Sequence, residues 1–339
     1  MKMLIAVTCA ALAAVAVAQE PAPDTPLVTH EPAAVEPPSA VSPEDLALVL
    51  SDEEETVTFV KRFDDEQQAL ARAEVEAARE LAEAGQSEAA AARKSVAEDR
   101  VTQVRKLYEQ VLEHYPNNAV LHNGYGELLY DVFGQVALGV KEWKTALALD
   151  GNLGAVHNNL GIHYAHYGDY PMALKHMDMA LSLDKENPDY LFNMAQVYLA
   201  HTPQVAKIRK WSEKKIYRKA MDYSKKAAEL APDDYDLQQD YAVNFFAAEN
   251  FEVEANWKDA AAAWQRARQS AQRPDQVFYT WLNEGRVWLR AERPDLARPA
   301  LEQALSLRPE SDVARSLLAK AGGPKAAAAD APEPAQEQP

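Results

Sequence analysis

The stretch GAVHNNLGIHYAHYGDYPMALKHMDMALSLDKENP, residues 154–188, decides the fold. Small residues recur in it at Gly161, Ala173 and Ala180. Large residues such as Leu160 stand beside them at helical spacing, which predicts amphipathic helices. A glycine in a first helix and alanines in a second let two helices cross closely, while the large side chains fill the space on either side. The stretch therefore predicts a helical hairpin.

The same offsets recur along the chain, so the hairpin is one unit of an array. The pair Leu160-Gly161 is matched by Tyr125-Gly126, Met194-Ala195, Tyr241-Ala242 and Glu284-Gly285. One hairpin cannot bury its apolar face alone, so consecutive hairpins are expected to stack. This pattern resembles the tetratricopeptide repeat, which recurs about every 34 residues. The units begin near Ala119, Gly154, Pro188, Tyr235 and Phe278.

The resemblance implies an all-α, right-handed superhelical solenoid, and the composition agrees because only 12 of 339 residues are glycine. We expect disordered segments at both ends, where proline, alanine and acidic residues replace apolar periodicity. The predicted order is a signal peptide (1–18), an acidic Pro-rich tether (19–63), Ala/Glu-rich helices leading into a degraded first repeat (64–118), five repeats (119–153, 154–187, 188–234, 235–277 and 278–311), a capping helix (312–321) and a tail (322–339).

The first residues predict export. Lys2 supplies a positive charge, Leu4 begins an apolar run, and the run ends at a small-residue cleavage site before Gln19. A retained anchor is the alternative. Cys9 is the only cysteine and lies in this segment, so the mature chain is expected to lack disulfides and cysteine metal sites. The predicted location is the periplasm or the outer cell surface of a bacterium, with no integral membrane span after signal removal.

The resemblance also implies a peptide-binding groove lined by the first helix of each repeat. The position before the large residue of each unit carries Asn159, Asn193, Asp240 or Asn283, with Gly124 in the first unit; we call these five the ladder positions. In some proteins of this family an asparagine ladder grips a peptide backbone, since an amide offers a donor and an acceptor. The predicted groove residues are Asn123, Asn158, Asn159, Ile162, His166, Asn193 and Asn283.

The asparagines and histidines of the repeats also have interpretations that involve no ligand. The ladder asparagines are equally compatible with local hydrogen bonding. The family's carboxylate clamp is rejected because its lysine and arginine positions are not matched. His163 and His166 share one helical face, but neither Cys/His spacing nor an HExxH motif supports a metal site. We therefore predict no metal and no cofactor.

A basic insert within the third repeat reverses the sign of the charge locally, in a chain whose net charge is −17. It predicts a surface for an acidic partner or a polyanion, while a solvated helix face is the alternative. Export and the net charge argue against nucleic acid. The insert residues are Lys207, Arg209, Lys210, Lys214, Lys215, Arg218 and Lys219.

No catalytic residues are predicted, since the chain has no phosphate-binding loop, no GxSxG motif and no zinc motif. The sequence thus predicts a non-enzymatic interaction scaffold, which displays a groove to an extended or helical peptide segment of a protein partner in the cell envelope. The alternative function is a module that binds a polyanion or an acidic partner through the insert, residues 207–226.

Overall fold

A computed structural model describes residues 50–322, and every regular element in that part of the chain is a helix. The described residues form two compact units, 50–184 and 185–322. The predicted signal peptide, most of the tether and nearly all of the tail lie outside the described residues. None of the described helices is both long and apolar enough to cross a membrane.

The first unit contains three helical hairpins, and each helix contacts its neighbours in sequence. A π-helical turn, Leu128–Val132, extends the third helix. The six helices are α1 (Glu53–Glu83), α2 (Ser87–His114), α3 (Ala119–Glu127), α4 (Val136–Leu149), α5 (Gly154–His166) and α6 (Tyr170–Leu183).

The second unit continues the pattern with longer connections. The basic insert forms a short helix and the start of a long one, and a 3-10 helix, Phe245–Phe251, follows the fourth helix of this unit. The eight helices are α7 (Pro188–Ala200), α8 (Thr202–Arg209), α9 (Glu213–Leu230), α10 (Tyr235–Asn244), α11 (Trp257–Ser270), α12 (Pro274–Arg290), α13 (Pro294–Leu307) and α14 (Asp312–Ala321).

The first helix, α1, begins inside the segment predicted as a disordered tether. The side chain of Asp52 accepts a hydrogen bond from the Glu55 backbone N–H at 2.9 Å, which caps the helix. Val60 is buried in the core of the first unit, with Phe59 and Phe63 packed around it. Acidic composition predicted disorder here, but burial of these apolar side chains favours the helix.

Close helix crossings occur where the sequence places small residues. A Cβ atom added to Gly161 would lie 2.6 Å from Met177 Cγ, and one added to Gly285 would lie 2.5 Å from Leu301 Cγ. Within the first unit, a Cβ on Gly139 would lie 2.7 Å from the backbone oxygen of Gly126. A larger residue at Gly139 would force α3 and α4 apart, because the nearest atom belongs to the backbone. At Gly161 and Gly285 the Met177 and Leu301 side chains would have to shift.

Candidate functional site

The ladder residue Asn159 joins two consecutive hairpins of the first unit. Its amide donates to Glu127 Oε1 at 2.7 Å, and the amide of Asn123 donates to the same oxygen at 3.1 Å. Removal of the Glu127 carboxyl from water raises its pKa, although both amide bonds favour the charged form. Asn159 is only 8% exposed. Its side chain therefore stabilises the stacking of α3 and α5.

The ladder residue Asp240 has the same relationship within the second unit. It accepts a hydrogen bond from Gln196, which lies three residues after the preceding ladder position, as Glu127 does in the first unit. Ser224 Oγ donates to Asp240 at 2.7 Å and Asn244 Nδ2 donates at 3.0 Å. Asn159 and Asp240 thus each link the first helix of one hairpin to the first helix of the preceding hairpin.

The other predicted groove residues are mostly enclosed. Asn283 is 0% exposed; its amide donates to the Tyr279 carbonyl at 2.9 Å and its oxygen accepts from Arg286 at 2.9 Å. Ile162 is a core residue, and Asn158 and Asn193 are buried. The burial of Ile162 and Asn283 does not support their predicted contact with a peptide, because their side chains are used by the protein's own packing.

The unmatched ladder position, Gly124, is covered by an aromatic side chain. A Cβ atom there would lie 2.3 Å from the hydroxyl of Tyr108, which donates to Asp64 Oδ2 at 2.9 Å. Removal from water raises the pKa of Asp64, while the hydrogen bonds from Gln68 and Tyr108 oppose that shift. The sequence offered no signal for this contact, because Asp64 and Tyr108 belong to the hairpin before the recognisable repeats.

An aromatic and histidine patch lies where the end of α5 meets the π-helical turn after α3, and we define it as Tyr130, His163, His166 and Tyr167. His166 and Tyr167 are exposed, whereas Tyr130 and His163 are partly buried. Tyr167 is 65% exposed, and its ring lies 4.7 Å from that of His163. The hydroxyl of Tyr130 and His163 Nδ1 are 3.2 Å apart. Partial burial lowers the pKa of both histidines, so they are neutral near pH 7. Only His166 of this patch was a predicted groove residue; the exposed aromatic ring was missed.

Three further histidines, His122, His157 and His176, take part in contacts inside hairpins. The Nδ1 atoms of His157 and His176 lie 2.9 Å apart, and His122 Nδ1 lies 2.6 Å from Glu142 Oε2. Partial burial, with neighbouring His157, lowers the pKa of His176 to about 4. No group of three or more potential metal ligands is found among residues 50–322. His122 and His157 lie at equivalent places in their hairpins, and both are partly buried.

The basic insert divides into packed and exposed cations. Arg209 donates to the Tyr198 hydroxyl at 3.0 Å, and the ammonium of Lys219 lies 4.6 Å from the Tyr223 ring centre. Lys215 covers the Trp211 ring at 4.0 Å. The exposed cations are Lys207, Lys210, Lys214, Lys215 and Arg218. Across the described part of the chain, none of these five pairs with a carboxylate.

Asp240 makes the stability of the second unit depend on pH. Burial raises its pKa to about 6, above the value near 4 of an unfolded chain. The contribution of Asp240 to the free energy of unfolding is therefore present in full below about pH 4 and is lost as the pH rises through 6. Between pH 5 and pH 8 the wild-type chain should lose roughly 1–3 kcal/mol more of its free energy of unfolding than the Asp240→Asn variant loses. Gln196 can keep its hydrogen bond by rotating its amide.

Urea unfolding of the full chain at both pH values measures this effect. Asp236→Asn is the matched control, because Asp236 is exposed on the same helix. If wild type and Asp240→Asn show the same difference between pH 5 and pH 8, Asp240 does not titrate in this range and the prediction is wrong.

The described residues form an all-α protein of repeated helical hairpins, the architecture that the tetratricopeptide resemblance implied. Repeated hairpins cross at small residues and stack through their first helices within each unit. No protein-family model matches the chain, and no similar sequence is found among curated proteins.

Several solved structures are similar to the chain. YrrB, described as a TPR protein with an unusual peptide-binding site, is 17% identical over 62% of this chain and 96% of its own, with a TM-score of 0.45. PilF of Pseudomonas aeruginosa is 17% identical over 75% and 99%, with a TM-score of 0.48. The C-terminal part of a TPR repeat-containing protein from Cytophaga hutchinsonii is 18% identical over 77% and 99%, also at 0.48. The class assignment rests on the hairpin packing of this chain itself.

Proposed function

We propose that the chain is a protein-interaction scaffold of the cell envelope, which binds a peptide segment of a partner at the aromatic and histidine patch of its first unit. The observation that carries this proposal is the exposure of Tyr167. A ring that is 65% exposed offers apolar area at little entropic cost on binding. The histidines and Tyr130 beside it supply polar contacts at its rim.

The mechanism is display on a rigid surface. Asn159, Asn123 and Glu127 hold α3 and α5 together through hydrogen bonds, so the helices that carry the patch are fixed before a partner arrives. Preorganisation lowers the ordering cost of binding. In this proposal Asn159 and Asn123 act mainly by holding the surface, while His166 and Tyr167 contact the peptide.

A direct test selects peptides on the immobilised full chain from a displayed random library and measures their dissociation constants in solution. We expect Tyr167→Ala to weaken binding by at least tenfold, because loss of an exposed aromatic anchor removes about 1.4 kcal/mol or more. Met179→Ala is the matched control, since Met179 is an exposed apolar residue on the second helix of the same hairpin. Selected peptides that bind the Tyr167→Ala variant as well as wild type would contradict the proposal.

A second candidate function is the binding of a polyanion or an acidic partner by the basic insert. The exposed cations without carboxylate partners in the described structure favour it. Salt separates the two candidates. Binding through the insert should weaken steeply between low and high salt, whereas binding at the aromatic patch should change little.

A further inference from the structure

A cleft in the second unit lies between the end of α9 and the following hairpin, formed by α10 and α11. It encloses about 230 Å³. The cleft differs from the aromatic patch because it lies in the second unit, is lined by other residues and contains charged side chains. Its lining residues are Lys225, Ala228, Glu229, Pro232, Gln238, Tyr241, Arg266 and Gln269.

The residues that line the cleft carry two positive charges, on Lys225 and Arg266, and one negative charge, on Glu229. Burial raises the pKa of Tyr241; Arg266 opposes that shift, and the carboxylates of Asp259, Glu229 and Asp222 add to it. Arg266 is exposed, and its guanidinium carbon lies 5.8 Å from the centre of the Tyr241 ring. No carboxylate forms an ion pair with Arg266 among residues 50–322. Lys225 pairs with Glu229 at 3.7 Å, and both side chains are more than half exposed. An exposed pair of this kind is worth little, so Lys225 is free to exchange its partner for another carboxylate.

A stripe of cations leads along α9 to this cleft. Lys214, Arg218 and Lys225 are separated by four and seven residues, which places them on one face of the helix. They span about 16 Å of helix length. Lys214 and Arg218 are exposed and have no carboxylate partner in the part of the chain that the structure describes. The helix carries six cations against three acidic residues, Glu213, Asp222 and Glu229, so its net charge remains positive.

We propose that the stripe and the cleft bind an acidic peptide segment of a partner protein. One carboxylate of the peptide enters the cleft between Arg266 and Lys225, and further carboxylates lie along Arg218 and Lys214. A guanidinium binds a carboxylate through paired hydrogen bonds, and the Tyr241 ring holds the guanidinium from its other side. The concave shape favours a narrow side chain over a flat membrane surface. The proposal does not depend on the aromatic patch. It rests on the second candidate function, since Lys214 and Arg218 belong to the basic insert, and it adds the acidic peptide and the cleft at Arg266.

The test uses the full chain and a fluorescein-labelled twelve-residue peptide of alternating glutamate and alanine, followed by fluorescence anisotropy at low salt. We expect Arg266→Gln to weaken binding at least tenfold and Arg266→Lys to weaken it severalfold, since an ammonium cannot form the paired bonds. Lys214→Gln combined with Arg218→Gln should also weaken it. Lys258→Gln is the matched control, because Lys258 is exposed outside the cleft.

Three outcomes separate this proposal from its competitors. Equal binding by wild type and Arg266→Gln would overturn it. So would tighter binding to a heparin oligosaccharide or to phosphatidylglycerol vesicles that depends on Lys214 and Arg218 but not on Arg266. Tyr167→Ala should leave binding of the acidic peptide unchanged, so failure at the aromatic patch and failure at the cleft are distinguishable.

Discussion

Trp264→Ala should lower the free energy of unfolding of the second unit by about 3–5 kcal/mol, the usual cost of truncating a buried tryptophan. Trp264 lies on α11 and is 0% exposed. Its ring centre lies 5.6 Å from that of Tyr279 and 6.4 Å from that of Phe246. The indole thus fills the space between consecutive hairpins, and alanine would leave a cavity that rigid helices cannot close. Urea unfolding followed by circular dichroism measures the loss.

Hydrogen exchange of the same variant locates the effect. Each repeat contacts mainly its neighbours, so amides of α10, α11 and α12 should lose protection before those of the first unit. Trp211→Ala is the control, because Trp211 is half-buried and packs under Lys215. We expect it to cost roughly 1 kcal/mol. Equal losses for the two tryptophans would mean that Trp264 does not hold the hairpins together.

The second large effect is expected from Gly139→Ala. Alanine has the higher helix propensity by about 1 kcal/mol, yet the variant should be less stable by roughly 1–3 kcal/mol because of overpacking. Its Cβ would lie 2.7 Å from the Gly126 backbone oxygen and 2.8 Å from Tyr130 Cβ. A backbone atom cannot rotate away, so α3 and α4 must separate. Thermal and urea unfolding of the full chain test the sign.

Gly151→Ala provides the matched comparison in the same unit. The nearest atom to its added Cβ is the Leu147 carbonyl oxygen at 3.9 Å, which is an ordinary contact. We expect a change of less than about 1 kcal/mol in either direction. If the Gly139→Ala variant is as stable as the Gly151→Ala variant, α3 and α4 do not cross as closely as described here, and the prediction is wrong.

Most of the hairpin pattern could be predicted from local features. Small residues that the sequence singled out, such as Ala173 and Ala180, are fully buried. Helix starts were less certain where the repeat pattern is weak. The fifth repeat was predicted to begin near Phe278, but α12 begins at Pro274, because proline is well tolerated in a first helical turn.

The candidate site could be predicted only in part. The resemblance implied that Asn159 lies on the groove-lining face of α5, and in the structure its amide contacts Glu127 of the preceding first helix. That face also meets the preceding first helix, so periodicity cannot tell whether Asn159 contacts solvent, a peptide or Glu127. For the same reason the sequence did not distinguish exposed Tyr167 from the packed aromatic residues around it.

The sequence by itself determined the all-α class, the tetratricopeptide-type repeats and the small residues at helix crossings, because helix propensity and apolar spacing are local properties of the chain. Only the tertiary structure decided which polar residues are available for binding. Asn159 and Glu127 meet across 32 residues, and Asp240 and Gln196 across 44. Such pairs form when hairpins stack, and stacking decides which side chains lose contact with water.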